Sequence, residues 1–177
     1  MIRNPVLAAS GALGAILLLA GCSHPPMPVP APVTDHGPSP TAMVEAIRAA
    51  AAANKSVVQI TPLRNPAVDG YLDRAHADEE TGHYRRALKK IDAALQLSPD
   101  APDILQFRAE IEILLHDYPA ADTDAQRSFA LGAKVGGLCA SNWQTVLEIA
   151  ESDNNQAGIA RARKGVKACQ EVGPIGM

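Results

Sequence analysis

From Val68 onward the chain resembles itself at an offset of 34 residues, and a period of that length leaves few folds open. Tyr84 aligns with Tyr118, Ala87 with Ala121, Ala75 with Ala109, Arg74 with Arg108 and Asp69 with Asp103. Conservative pairs join them: Tyr71 with Leu105, Asp78 with Glu112, Leu95 with Phe129. The matches are few, but they concentrate where packed helices touch. In "TGHYRRALKKIDAALQLSP", Tyr84, Ala87, Ile91, Ala94 and Leu95 fall on one helical face, with Gly82 and Pro99 as brackets. Composition agrees: the chain is 47% hydrophobic with only 3% aromatic residues, an alanine-heavy mixture that favours helices over sheets. The expectation is an all-α chain.

A 34-residue unit of two helices resembles the tetratricopeptide repeat (TPR) family. The resemblance implies a short TPR-like α-solenoid of antiparallel helix pairs, with units at 68–101 and 102–135. Ala75 and Ala87 take the places where paired helices approach closely, and Tyr84 and Leu95 fill the gaps between layers. Gly82 supplies the turn and Pro99 stops the second helix. In the second unit Pro102 suits a first helical position, His116 replaces the glycine, Asp117 caps a helix that tolerates Pro119, and Ala133 stands where the stop proline was. Both units depart from the family alike, carrying Arg74 and Arg108 for leucine and Asp78 and Glu112 for tyrosine. Each Arg–acid couple is spaced for an ion pair within one helix. A stack needs about three units to bury a continuous core. Residues 136–170 read as a degenerate third hairpin, with Trp143, Val146, Leu147 and Ala150 on one face and a turn at Asn154 and Asn155.

The amino-terminal part belongs to a different class of segment. "MIRNPVLAASGALGAILLLAGC" has Arg3 near its start and an apolar run from Val6 to Leu19, short for a spanning helix and suited to a signal-peptide core. Leu19-Ala20-Gly21-Cys22 resembles the lipobox of bacterial lipoproteins. That resemblance implies cleavage of residues 1–21 and acylation of Cys22, with an ordinary cleaved signal or an uncleaved anchor as alternatives. Several acyl chains on one cysteine make the anchoring stable. Ser23, rather than aspartate, follows the cysteine, which in that family implies passage to the outer membrane with the folded part in the periplasm. Residues 22–40 form a tether: seven of the 18 residues from Ser23 to Pro40 are proline. At about 3.1 Å per residue it reaches roughly 55 Å. Between 41 and 67 we expect a leading helix, capped by Thr41 and apolar at Met43, Val44, Ile47, Ala50 and Ala51. An extended stretch broken by Pro62 and Pro66 follows. Residues 171–177 are a tail.

Export leaves Cys139 and Cys169 as thiols in an oxidising compartment, at ends that an antiparallel hairpin brings together. A disulfide is expected, the alternative being two buried free thiols. Nothing marks a reaction centre. His76, His83 and His116 lack zinc-site spacing, no glycine-flanked nucleophile or phosphate loop occurs, and Asp78, Glu79 and Glu80 read as a solvated face. We therefore expect no enzyme, no metal and no cofactor. The net charge of −3 also argues against nucleic acid as a partner.

The TPR resemblance implies a concave face built from the first helix of each unit. Carried over, it selects Asp69, Leu72, His76, Glu79 and Glu80, then Asp103, Gln106, Glu110, Ile113 and Leu114. That surface would be acidic with an apolar edge, suited to a basic or amphipathic segment of another envelope protein. The implied role is an adaptor or scaffold in peptidoglycan remodelling, pilus or secretion assembly, or outer-membrane biogenesis. A lipid-anchored enzyme of unfamiliar type and a purely structural spacer are the alternatives.

Overall fold

The structure, a computed structural model, describes residues 37–54 and 64–170. The signal segment, Cys22, most of the tether, the stretch 55–63 and the tail lie outside the described residues. Among the described residues there are seven helices: α1 (Pro40–Ala53), α2 (Pro66–Glu80), α3 (Tyr84–Leu97), α4 (Pro102–Leu114), α5 (Tyr118–Leu131), α6 (Gly137–Ser152) and α7 (Gln156–Ala168). They form a TPR-like stack of antiparallel pairs, α2 with α3, α4 with α5 and α6 with α7, and α1 packs across α6 and α4. None of these helices is long and apolar enough to cross a membrane.

Proline places the helix starts. Pro40, Pro66 and Pro102 each occupy the first turn, where a missing N–H costs nothing. The cap of α1 is therefore Ser39, whose Oγ accepts from the Ala42 N–H at 3.2 Å, and not Thr41. Pro66 likewise opens α2 behind an Asn65 cap instead of interrupting an extended stretch.

The three hairpin turns share one closing hydrogen bond. The His83 N–H donates to the Asp78 carbonyl, the Asp117 N–H to Glu112 and the Asn155 N–H to Ala150, at 2.7, 2.8 and 2.8 Å. Each turn carries one residue with left-handed backbone: Gly82 at φ 72°, His116 at 62° and Asn154 at 53°. The first two turns are 34 residues apart, but the third follows after 38 (Asp117 to Asn155). One extra helical turn thus sits in the third period, and a fixed 34-residue comparison slides out of register there.

Alanine provides the close contacts. Ala75, Ala87 and Ala94 are fully buried with Val68, Ile91, Leu105 and Ile111 in a core shared by α2, α3 and α4. A second core joins Met43, Val44 and Ile47 of α1 to Ala109, Ile113, Ala121, Ala125 and the apolar face of α6. Gly137 makes room for α1, since a Cβ there would come within 3.1 Å of the Ala51 carbonyl oxygen. Asn54, at the end of α1, donates to the Cys169 carbonyl at 3.1 Å. Cys139 and Cys169 are joined by a disulfide, with Cα atoms 5.6 Å apart. Cys139 lies inside the first turn of α6.

The ion pairs run between helices more than along them. Arg108 forks onto Asp124 of α5, Nη2 donating to Oδ1 at 2.6 Å and Nε to Oδ2. It also reaches Asp92 of α3 at 3.3 Å, while the expected partner Glu112 is further away at 3.7 Å. In the first unit Asp78 pairs with Arg86 of α3 at 2.9 Å, and the Arg74 guanidinium lies over the Tyr71 ring. A guanidinium presents a planar fork, and a carboxylate on the neighbouring helix meets that fork better than one a turn away.

Candidate functional site

Two adjoining clefts open where α1 crosses the first helices of the pairs. One, about 340 Å³, is lined by Arg48, Arg64, Leu72, His76, Asp103, Gln106, Phe107 and Glu110, among others. The other, about 290 Å³, is lined by Thr41, Arg48, His76, Glu79, Glu80, Tyr84 and Leu114. Of the residues assigned to the concave face, Leu72, His76, Asp103, Gln106 and Glu110 thus share one cleft. His76, Glu79, Glu80 and Leu114 share the other. Asp69 is exposed outside both.

Ile113 needs correction. It is fully buried in the core beneath α1 and presents nothing to a partner. Gln106 and Glu110 are also buried, so each offers only an edge to the cleft. The cause is α1, whose Met43, Val44 and Ile47 occupy part of the surface a bare stack would leave open. Sequence reasoning assigned these apolar residues to a helix face but had no means of seeing what the face covers.

Arg48 is the residue that reasoning missed. Its Nε donates to Glu110 Oε2 at 2.8 Å and its Nη2 to Glu79 Oε1 at 2.5 Å, so one guanidinium clamps α2 to α4. Gln106 backs this clamp, donating to Glu110 Oε1 at 3.3 Å and to Thr145 Oγ1 at 3.0 Å. Arg64 pairs with Asp103. His76 stacks on Phe107 with ring centroids 4.2 Å apart and brings Nδ1 within 3.6 Å of Glu79 Oε2. A legible signal for Arg48 did exist: it directly follows Ile47 at the border of the apolar face of α1, and the surface to be covered was acidic.

The two clamped carboxylates respond in opposite directions. Burial pushes Glu110 above the ordinary carboxylate range, and the opposing pull of Arg48 and Gln106 does not restore it. Burial acts on Glu79 in the same sense, but hydrogen bonds from His76 and Arg48 outweigh it and hold that group low. Much of the acidic charge expected on this face is therefore matched within the chain. What remains is mixed: the Glu80 carboxylate, the apolar edges of Leu72, Leu114 and Tyr84, and two buried acceptors without partners among the described residues, Asp103 Oδ1 and Gln106 Oε1. Such acceptors ask for a donor. Chemically the arrangement grips. Among the described residues no group of three His, Cys, Asp or Glu side chains converges to hold a metal ion.

No protein-family model and no curated protein matches the sequence. Among solved structures, the chain is similar to the globular C-terminal domain of P. aeruginosa LpoP, with a TM-score of 0.55 and 23% identity over 59% of this chain and 99% of that one. That likeness is one of fold.

Proposed function

We propose that this chain is an outer-membrane lipoprotein, anchored through acylated Cys22, whose periplasmic helices act as an adaptor for another envelope protein. The systems this reading admits are peptidoglycan remodelling, pilus or secretion assembly, and outer-membrane biogenesis. One observation carries it: the clefts beside α1 set apolar edges next to two buried acceptors, Asp103 Oδ1 and Gln106 Oε1, that have no hydrogen-bond partner among the described residues. That is the surface an amphipathic segment covers, with apolar side chains on Leu72, Phe107 and Leu114 and donors directed to Asp103 and Gln106. Because Arg48 and Arg64 already pair with three acids, amphipathic character matters more than plain positive charge. The similarity to a domain described as a globular C-terminal one fits a fold carried behind a tether.

The test is photo-crosslinking in intact cells from Leu72, Glu80 and Tyr84 in the full-length lipidated chain, with Lys89 of α3 as an outward control. The reading expects the cleft positions to capture the same envelope protein and Lys89 to miss it. Equal capture from all four positions, or none from the cleft, contradicts it. Cys22→Ala should move the protein from the membrane to the soluble fraction, and persistence in the membrane fraction would remove the lipid anchor from the account.

A further inference from the structure

A third cleft, about 170 Å³, is lined by α5, α6 and α7 and shares no residue with the two beside α1. Its walls are aromatic. Phe129 and Trp143 meet edge to face with centroids 5.2 Å apart, and both pack against the disulfide. Gly165 lets the indole lie flat on α7, since a Cβ there would fall 2.2 Å from the ring. Asn142 lines the same cleft, is only 1% exposed, and has no partner for either Oδ1 or Nδ2 among the described residues. Buried carboxamides are normally satisfied, because leaving both the donor and the acceptor unpaired is costly to the fold.

The surroundings narrow what could satisfy it. Arg161 lines the cleft, and α7 also exposes Arg163, Lys164 and Lys167 while carrying no acidic residue from Gln156 to Ala168. Among the described residues Arg163 is paired with Glu151, and Arg161 has no acidic partner. A carboxamide offers a donor beside an acceptor, the complement of a peptide group. The aromatic part of the wall accepts one apolar side chain, and Arg161 favours a carboxylate next to it.

We propose that this cleft binds an extended, acidic peptide segment of a partner protein. Its backbone amide meets Asn142, an apolar side chain rests against Phe129 and Trp143, and an Asp or Glu faces Arg161. The site is independent of the clefts beside α1 and gives the stack a second docking face, one that selects for acidic character.

Selection of a random displayed-peptide library on the full-length, disulfide-bonded chain tests this, repeated with Asn142→Leu and Arg161→Glu. Enriched peptides should carry an acidic residue within a few positions of a leucine or aromatic residue. A synthetic copy should lose about tenfold or more in affinity for either variant. Asn142→Leu should meanwhile leave the melting temperature unchanged or raised, since the amide has no protein partner to lose. A lowered melting temperature would mean that internal water satisfies the carboxamide and that it serves the fold. That result, the lack of an acidic-apolar consensus, or undiminished binding to Arg161→Glu overturns the proposal.

Discussion

Arg108 concentrates more of the fold's electrostatics than any other described residue, because it touches acids on three helices. Asp124 is 3% exposed, so removing the guanidinium strands a buried carboxylate. Arg108→Ala should therefore destabilise by about 3–5 kcal/mol in denaturant unfolding, with Arg108→Lys less damaging but still costly because an ammonium cannot fork. Loss below ~1 kcal/mol would show the pair to be a solvated surface contact. Glu112 sits beside this pair and is pushed up to about 8, first by burial and then by Asp124, against the pull of Arg108. A carboxyl whose folded value exceeds its unfolded one binds the extra proton in the native state. Its contribution is full below the ordinary carboxylate range and is lost as pH rises through about 8. Glu110 and Glu148, raised chiefly by burial, act in the same direction. Glu79, held low, acts oppositely and only under more acidic conditions, as pH falls through its lowered value. The melting temperature should thus fall by a few degrees from about pH 5 to about pH 9, and Glu112→Gln should flatten that fall. A profile rising over this interval in the parent chain would contradict the burial of Glu112.

At the scale of elements, α1 and the alanine contacts decide the packing. Ile47 is fully buried between α1 and the rest of the core, so Ile47→Ala should cost about 2–5 kcal/mol. A leading helix that merely trailed from the tether would tolerate the change without a shift in midpoint. Ala87→Leu and Ala121→Leu should each cost about 1–3 kcal/mol by overpacking, read as an earlier melt, because both alanines are fully buried between packed helices. Much of this was legible. The 34-residue period, the turn residues Gly82 and His116 and the Asp117 cap express local backbone chemistry, and local chemistry is written in sequence. The four extra residues of the third period hid its kinship with the others. The placement of α1 was hidden for a different reason: its apolar face is visible in Met43, Val44 and Ile47, but which surface receives it depends on helices far along the chain. Around the clefts, the carboxylates were visible in the sequence and their pairing with Arg48 and Arg64 was not.

At the scale of the whole molecule, the described residues form a stack of three helix pairs with α1 seated across two of their first helices, and clefts open beside it and among α5, α6 and α7. The disulfide closes a segment of 30 residues and ties the start of α6 to the end of α7, which in the chain-entropy model is worth about 3–4 kcal/mol. The same end of α7 holds Asn54, so the seat of α1 and the disulfide-bonded hairpin reinforce each other. If α1 left its seat, Met43, Val44 and Ile47 would be exposed, the Arg48 clamp would open, and the two clefts would merge into one bare groove. Native-state hydrogen exchange, resolved by residue, measures that seat directly. The account predicts that the amides from Ile47 to Ala51 are protected to nearly the same free energy as those at the centres of α4 and α6. Fast exchange throughout α1, with α4 and α6 still protected, would contradict it.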